Sequence, residues 1–413
     1  MDSPRTDRKD RTVTRLRPLG ETVFSTVGAL VVKHGAANLG QGKPDYPAPP
    51  VVLDEAQRQI ASGNNQYAPP RGLLALREAV CSDRNARLGE NWNATDECII
   101  TVGATEAIAA TILGLVEPGD NVILIEPFYD SYRAAVAMAG ATYTSVPLLC
   151  DGSNWHLDPV AIRAAITDDT TMIILNSPHN PTGAVFPEEE IREVAVDVVK
   201  HDLLVLSDEV YEHLNFGAEH EHTSIASLPG MRERTVIASS AGKTFNLTGW
   251  KVGWALGAPE LIEAVSAAKQ FLSFGGAAPL EPAVIKGFTE SPGWHEELRQ
   301  ILRDNHSMLI TRLQQMGLTV YPADAGYFVL IDGSPIIDAV SSLPAVQAAG
   351  VPVTNAFELC MCMPEFTGIG AIPVSSFVHD DTDPHWANLL RISFCQKPES
   401  INRALDVLEE LLE

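Results

Sequence analysis

Six continuous apolar runs, at 98–102, 122–125, 172–175, 203–206, 236–239 and 252–256, are separated by amphipathic stretches at 105–116, 131–139, 187–200 and 260–271. A strand with one solvated face alternates polar and apolar residues, whereas these runs do not, so each is expected to be buried on both faces. Strand-helix alternation over this span restricts the chain to an α/β fold around a mainly parallel sheet. The acidic triplet Glu188-Glu189-Glu190 suits the start of the third helix, where negative charge meets the free amides. Beyond Phe271 the pattern loosens through Gly275-Gly276, and a long helical stretch (295–316) leads into short strands at 318–321, 327–331 and 390–394. We therefore expect a large domain over 46–290 and a smaller α+β domain formed by 1–45 together with 291–413.

In an open parallel sheet, ligands sit beyond the carboxyl ends of the strands, so the residues following each run carry the chemistry. After the fifth run comes Ser239-Ser240-Ala241-Gly242-Lys243-Thr244, with a second cation at Lys251. A lysine in a small-residue turn, preceded by hydroxyls, is suited to forming a Schiff base with an aldehyde beside a bound phosphate, which points to pyridoxal 5'-phosphate. A nucleotide-binding phosphate loop would need glycine at 237, and that residue is isoleucine. After the first run, Gly103-Ala104-Thr105 opens a helix whose free amides suit a phosphate. Asn180 stands in a proline-rich turn, and Asp208 ends the fourth run at Ser207-Asp208-Glu209-Val210-Tyr211. A carboxylate in so apolar a setting needs a cation, and a protonated pyridine nitrogen would serve.

The order of these motifs resembles the fold-type-I, class I/II pyridoxal-phosphate aminotransferases over nearly the whole chain. The resemblance rests on Asn38-Leu39-Gly40-Gln41-Gly42, Asn65-Gln66-Tyr67, Gly103-Ala104-Thr105, Asn180-Pro181-Thr182-Gly183, Asp208-Glu209-Val210-Tyr211, Ser240-Ala241-Gly242-Lys243, Gly249-Trp250-Lys251-Val252-Gly253 and Arg391-Ile392-Ser393-Phe394. It implies that Lys243 is the Schiff-base lysine and proton shuttle. Asp208 would hold the pyridinium, and Asn180 and Tyr211 the ring hydroxyl. Gly103, Ala104, Thr105, Ser240 and Lys251 would grip the phosphate, with Tyr67 reaching in from the second subunit of a homodimer. Tyr129 would stack on the ring, while Gly42, Asn180 and Arg391 would meet the substrate carboxylate. Lys251 stands where many members have arginine, and Tyr129 where tryptophan or phenylalanine is common; lysine binds phosphate with less directional control.

The wording around Lys243 and Gly368–Phe377 is similar to the kynurenine and methionine aminotransferase branch. Glu106–Ala110 and Glu126–Tyr132 look most like actinobacterial enzymes described as N-succinyldiaminopimelate aminotransferases. That implies N-succinyl-LL-2,6-diaminopimelate and the 2-oxoglutarate/glutamate pair as substrates, in lysine biosynthesis. Kynurenine-, glutamine- or methionine-type transamination, and cysteine-S-conjugate or cystathionine β-elimination, are alternatives on the same scaffold. Phe24, Tyr46, Phe274 and residues 360–377 are candidates for reading the substrate side chain.

With 29 Lys+Arg against 53 Asp+Glu, the net charge of −24 argues against nucleic-acid or membrane-surface partners and against a DNA-binding regulator on this fold. Six scattered cysteines without paired spacing suggest neither a zinc site nor a disulfide framework, and the charged stretch 1–11 does not read as a secretory signal, so a cytoplasmic protein is expected. Glu219-His220-Glu221-His222 reads as an exposed loop rather than a metal site. Cys360 and Cys362 read as core filling, and the acidic end as a helix with Leu408 inward.

Overall fold

The computed structural model describes residues 12–217 and 221–413. The charged stretch 1–11, and Glu219 and His220, lie outside the described residues. Seven strands form the main sheet: β1 (Cys98–Thr101), β2 (Asn121–Glu126), β3 (Thr142–Pro147), β4 (Thr170–Asn176), β5 (Leu204–Asp208), β6 (Thr235–Ser240) and β7 (Gly253–Leu256). Their order is β1-β7-β6-β5-β4-β2-β3, with β7 antiparallel to both neighbours and every other pairing parallel.

The double burial of the central strands is visible residue by residue. Val122 and Leu124 of β2 enter one core with helices Gly103–Leu115 and Pro259–Leu272, whereas Ile123 and Ile125 enter another with helix Glu188–Lys200. Met172 and Ile174 of β4 divide from Ile173 and Leu175 in the same way. Successive side chains leave a strand on opposite faces, so an unbroken apolar run feeds both layers at once. Strand β3, Thr-Tyr-Thr-Ser-Val-Pro, lies at the sheet edge, and only Val146 in it is buried.

A second, antiparallel sheet contains β8 (Val320–Tyr321), β9 (Phe328–Asp332), β10 (Ile372–Pro373) and β11 (Leu389–Ser393), in the order β8-β9-β11-β10. Its core takes in Leu298, Leu302 and Leu309 of helix Trp294–Gln315, Leu405 and Leu408 of helix Pro398–Leu412, and Val27, Val31 and Leu39 from near the chain start. Ala37–Asn38 pairs in parallel with Ile369–Gly370. Tyr211, Leu214 and Phe216 also enter this core, so the segment after β5 bridges the two sheets. Cys360 and Cys362 are buried in helix Ala356–Phe366, filling core.

Strands β1, β2, β4, β5 and β6 run in one direction, so their carboxyl ends share one edge of the sheet. Strand β7, running backwards, begins at that same edge. Its first residue, Gly253, comes so near the turn after β1 that an added Cβ would lie 2.5 Å from the Gly103 carbonyl carbon. Side chains at 103–105, 126–132, 176–180, 208–211 and 240–251 thereby converge.

Candidate active site

The convergence encloses a cavity of about 430 Å³ lined by residues that include Gly42, Gly103, Ala104, Thr105, Tyr129, Asn180, Asp208, Tyr211, Ser240, Lys243, Lys251 and Arg391. Every cofactor- and carboxylate-binding residue that the resemblance implies lies on this wall except Tyr67, which is 89% exposed and packs edge-on against Phe274. Of the side-chain-reading candidates, Phe24 lines the cavity, and Tyr46 and Phe274 do not.

Lys243 occupies the single helical turn Ala241–Thr244 that follows β6. Its Nζ stands 4.9 Å from the ring centre of Tyr327 and 5.6 Å from that of Tyr211. Burial, reinforced by the charges of Arg391 and Lys251 and opposed by those of Cys395 and Asp208, lowers its pKa to about 8. The turn is braced from behind, since Trp294 Nε1 donates to the Thr244 carbonyl at 2.9 Å and the Tyr327 hydroxyl donates to Asn246 Oδ1 at 3.0 Å.

Asp208 lies at the cavity floor, and the cation expected beside it is not another side chain. Its carboxylate accepts the Tyr132 hydroxyl at 2.6 Å and the Val210 amide at 3.3 Å, and among the described residues no lysine, arginine or histidine forms an ion pair with it. Burial pushes its pKa up to about 6, against the two hydrogen bonds. Tyr132 was not anticipated from the sequence; it is buried and edge-on to Tyr129. Burial also raises the Tyr129 phenol to about 12.

At the opposite wall, Lys251 Nζ donates to Thr105 Oγ1 at 3.2 Å. Gly103 has φ +71°, and an added Cβ would crowd the Lys251 ammonium at 3.1 Å. The turn thus leaves amides, a hydroxyl and one ammonium facing a space without a side chain, an arrangement suited to a phosphate.

Arg391 extends from β11 into the cavity. Its Nη1 donates to Asn180 Oδ1 at 3.0 Å and its Nη2 to the Gly40 carbonyl at 2.7 Å, while the buried Nε has no partner. Phe328, Phe377 and Phe24 surround the guanidinium at 3.8, 4.9 and 5.1 Å from its carbon to their ring centres. Burial pulls its pKa down to about 10. A buried cation held by neutral groups and aromatic faces is suited to an incoming carboxylate. Asn176 supports this wall, accepting the Asn180 amide at 2.8 Å and donating to the Asp208 carbonyl at 2.8 Å.

Behind β5, Glu209 and Glu212 point away from the cavity toward Arg84, as described below. His222, expected in an exposed loop, is instead buried, with Nε2 2.9 Å from Glu209 Oε2. A buried carboxylate draws a polar partner inward from the loop, which charge and polarity in sequence do not reveal.

Residues 35–408 match the family model for aminotransferase class I and II. The chain belongs to that family. It is 44% identical to a probable N-succinyldiaminopimelate aminotransferase of Mycobacterium tuberculosis, covering 97% of this chain and 99% of that one. It is 33% identical to the methionine aminotransferase of Escherichia coli, covering 96% and 98%. Among solved structures it superposes on the N-succinyldiaminopimelate aminotransferase from Mycobacterium tuberculosis with a TM-score of 0.90 over 97% of this chain and 100% of that one, at 44% identity. The protein is thus a fold-type-I aminotransferase that depends on pyridoxal 5'-phosphate and moves amino groups between amino acids and 2-oxo acids. The residues present fit that cofactor: Asp208 is a buried carboxylate without a cationic side chain, and the Gly103 turn is open before Thr105 and Lys251. No helix among the described residues is long and apolar enough to cross a membrane.

Proposed function

We propose that this aminotransferase acts on N-succinyl-LL-2,6-diaminopimelate, with the 2-oxoglutarate/glutamate pair, as a step in bacterial lysine biosynthesis. The observation that carries this reading is the full-length likeness to an enzyme with that name, joined to a site built for two charged groups. Bound in the cavity, pyridoxal 5'-phosphate supplies an electron sink for the charge left when the substrate loses its Cα proton. Asp208 holds the ring nitrogen, Asn180 and Tyr211 hold the ring hydroxyl, and Tyr129 covers the ring face. Gly103, Ala104, Thr105, Ser240 and Lys251 hold the phosphate. Lys243 anchors the cofactor and, with its lowered pKa, takes and returns the proton at Cα. Arg391 binds the substrate α-carboxylate beside Gly42 and Asn180.

A second cavity of about 930 Å³ adjoins the first, sharing Thr22 and Asp130, and gives room for a long side chain. Arg133 and His379 line it, together with Glu21, Asp130, Glu358 and Asp381. Among the described residues Arg133 forms no ion pair, which makes it the candidate for a distal carboxylate. Phe271, Tyr67, Leu272 and Phe274, at 87%, 89%, 50% and 47% exposed, form apolar surface suited to a second copy, so a homodimer completed by Tyr67 is part of the proposal. So are a cytoplasmic location and a division into 46–290 and 1–45 with 291–413.

The test begins with Lys243→Ala, which should lose borohydride-fixable visible absorbance and at least about a thousandfold of transamination rate. Full turnover in that variant would refute the assignment of Lys243. An amino-donor screen then addresses the substrate: N-succinyldiaminopimelate should exceed kynurenine and methionine in kcat/KM, and cystathionine should release little pyruvate. In Arg133→Gln the KM for the succinylated donor should rise about tenfold while that for glutamate stays within about twofold. Preference for kynurenine or methionine would overturn the substrate reading and leave the cofactor site standing.

A further inference from the structure

We propose that Asp83, His213 and His295 form a structural binding site for a divalent transition-metal ion of the zinc class. The three come from separate elements: helix Leu74–Leu88, the segment after β5, and the first turn of helix Trp294–Gln315. Distances of 130 and 82 positions along the chain kept the grouping out of any local motif. One donor atom from each lies within 4.8 Å of the other two. His213 Nε2 is 2.9 Å from Asp83 Oδ2, and the two imidazole centres are 4.4 Å apart. Tetrahedral zinc donors at about 2.0–2.2 Å from the ion are about 3.3 Å from one another, so a small inward movement of His295 completes the set. Two imidazoles and one carboxylate leave a fourth position for water and select zinc, cobalt or nickel over magnesium or calcium.

Two further features point to a ligand here. The buried His295 Nδ1 has no hydrogen-bond partner, and His213, which meets Asp83 through Nε2, is 2% exposed. Unsatisfied buried nitrogens are uncommon and call for a cause. The surroundings also carry excess negative charge: among the described residues, Asp83, Glu90, Glu209 and Glu212 meet Arg84, Arg87 and His222 in one connected network, four carboxylates against three cations apart from His213 itself. Arg87 stands 3.7 Å from Asp83 yet also holds Glu212, and Arg299 Nη1 donates to the His213 carbonyl at 3.4 Å. A divalent ion bound by Asp83 balances the surplus. It would also tie the segment after Asp208 to the helix whose Trp294 braces the Lys243 turn, stiffening the active site from behind without touching substrate.

The holoenzyme, stripped with a chelator and dialysed, is titrated with Zn²⁺ by calorimetry and with Co²⁺ by visible spectroscopy, alongside Asp83→Asn and His295→Ala. The wild type should take up one saturable equivalent, show cobalt ligand-field bands of a four- or five-coordinate site, and gain at least about 2 °C in Tm with Zn²⁺. Both variants should lose more than about 100-fold in affinity and the Tm response. Should Asp83→Asn misfold for want of its Arg87 contact, His295→Ala carries the test alone. Absence of a micromolar equivalent in the wild type, or equal binding by His295→Ala, overturns the site.

Discussion

Asp208 and Glu209 are neighbours in sequence, both buried carboxylates at the end of β5, yet the protein treats them oppositely. Glu209 is saturated: Arg84 Nη2 at 2.9 Å, His222 Nε2 at 2.9 Å, Ser224 Oγ at 2.7 Å and Ser207 Oγ at 2.8 Å all reach it. Despite burial, the charges of Arg84 and His222 hold its pKa down to about 2. Asp208 receives one hydroxyl and one amide, and burial lifts it to about 6. Both need a cation to remain ionised in a low-dielectric interior. On one side of the strand the chain supplies that cation itself, and on the other, in the function proposed above, the place falls to the cofactor. Two adjacent carboxylates, the last residue of β5 and the one after it, thus have opposite electrostatic fates.

Removing the cation from the framework side gives the largest structural effect. Arg84→Met would remove the guanidinium shared by Glu90, Glu209 and Glu212, leaving Glu212 to Arg87 and Glu209 to His222, and should lower unfolding free energy by about 3–5 kcal/mol in urea titrations of apo and holo protein alike. On the cavity side, Asp208→Asn should lower kcat by roughly 10²–10³-fold and weaken cofactor retention while leaving the apoprotein no less stable. Equal destabilisation of the apoprotein by both substitutions would break the contrast.

The pH dependence sharpens it. A carboxyl whose folded pKa is raised, as in Asp208, contributes stability that is full below the unfolded value of 3.8 and lost as pH rises through about 6. Glu209 does the reverse, contributing above 4.5 and losing its contribution as pH falls through about 2. Apoprotein of Asp208→Asn should therefore gain on wild type between pH 4 and 6.5, by at most on the order of 3 kcal/mol. Urea midpoints across that range check it, and a constant difference would exclude ionisation as the cause.

The contrast also explains what was legible in the sequence. Strands β2, β4, β5 and β6 stood out because burial on both faces erases polar alternation, and Asp208, Lys243 and Asn180 stood out as polar residues placed directly after such runs. Edge strand β3 was missed because half of it faces solvent and reads as a loop. The roles of Tyr132 and Phe328 were missed for another reason: each acts through an approach between distant elements. Tyr132 meets Asp208 across 76 positions, and the cage around Arg391 joins residues 24, 328 and 377. Nothing in the sequence marks Arg84, around which the fold places three glutamates. Residue type and local period say what a side chain is able to do, while the partner that decides its role is chosen by packing.

The smallest effect tests the one side chain, among the described residues, that hydrogen-bonds the Asp208 carboxylate. Tyr132→Phe keeps the edge-on ring contact with Tyr129 and deletes the 2.6 Å hydrogen bond. That bond favours the ionised carboxyl, so its loss should raise the pKa of Asp208 further and shift toward higher pH the midpoint at which cofactor retention fails on acidification. A hydrogen bond to a charged group is worth about 1.5–3 kcal/mol, of which the bound pyridinium would recover part, so cofactor affinity should fall about tenfold and kcat only a few-fold. Visible absorbance followed against pH reads the midpoint directly. A Tyr132→Phe protein with lower Tm but an unmoved midpoint would make Tyr132 a packing residue, and would place the control of Asp208 ionisation in the cofactor alone.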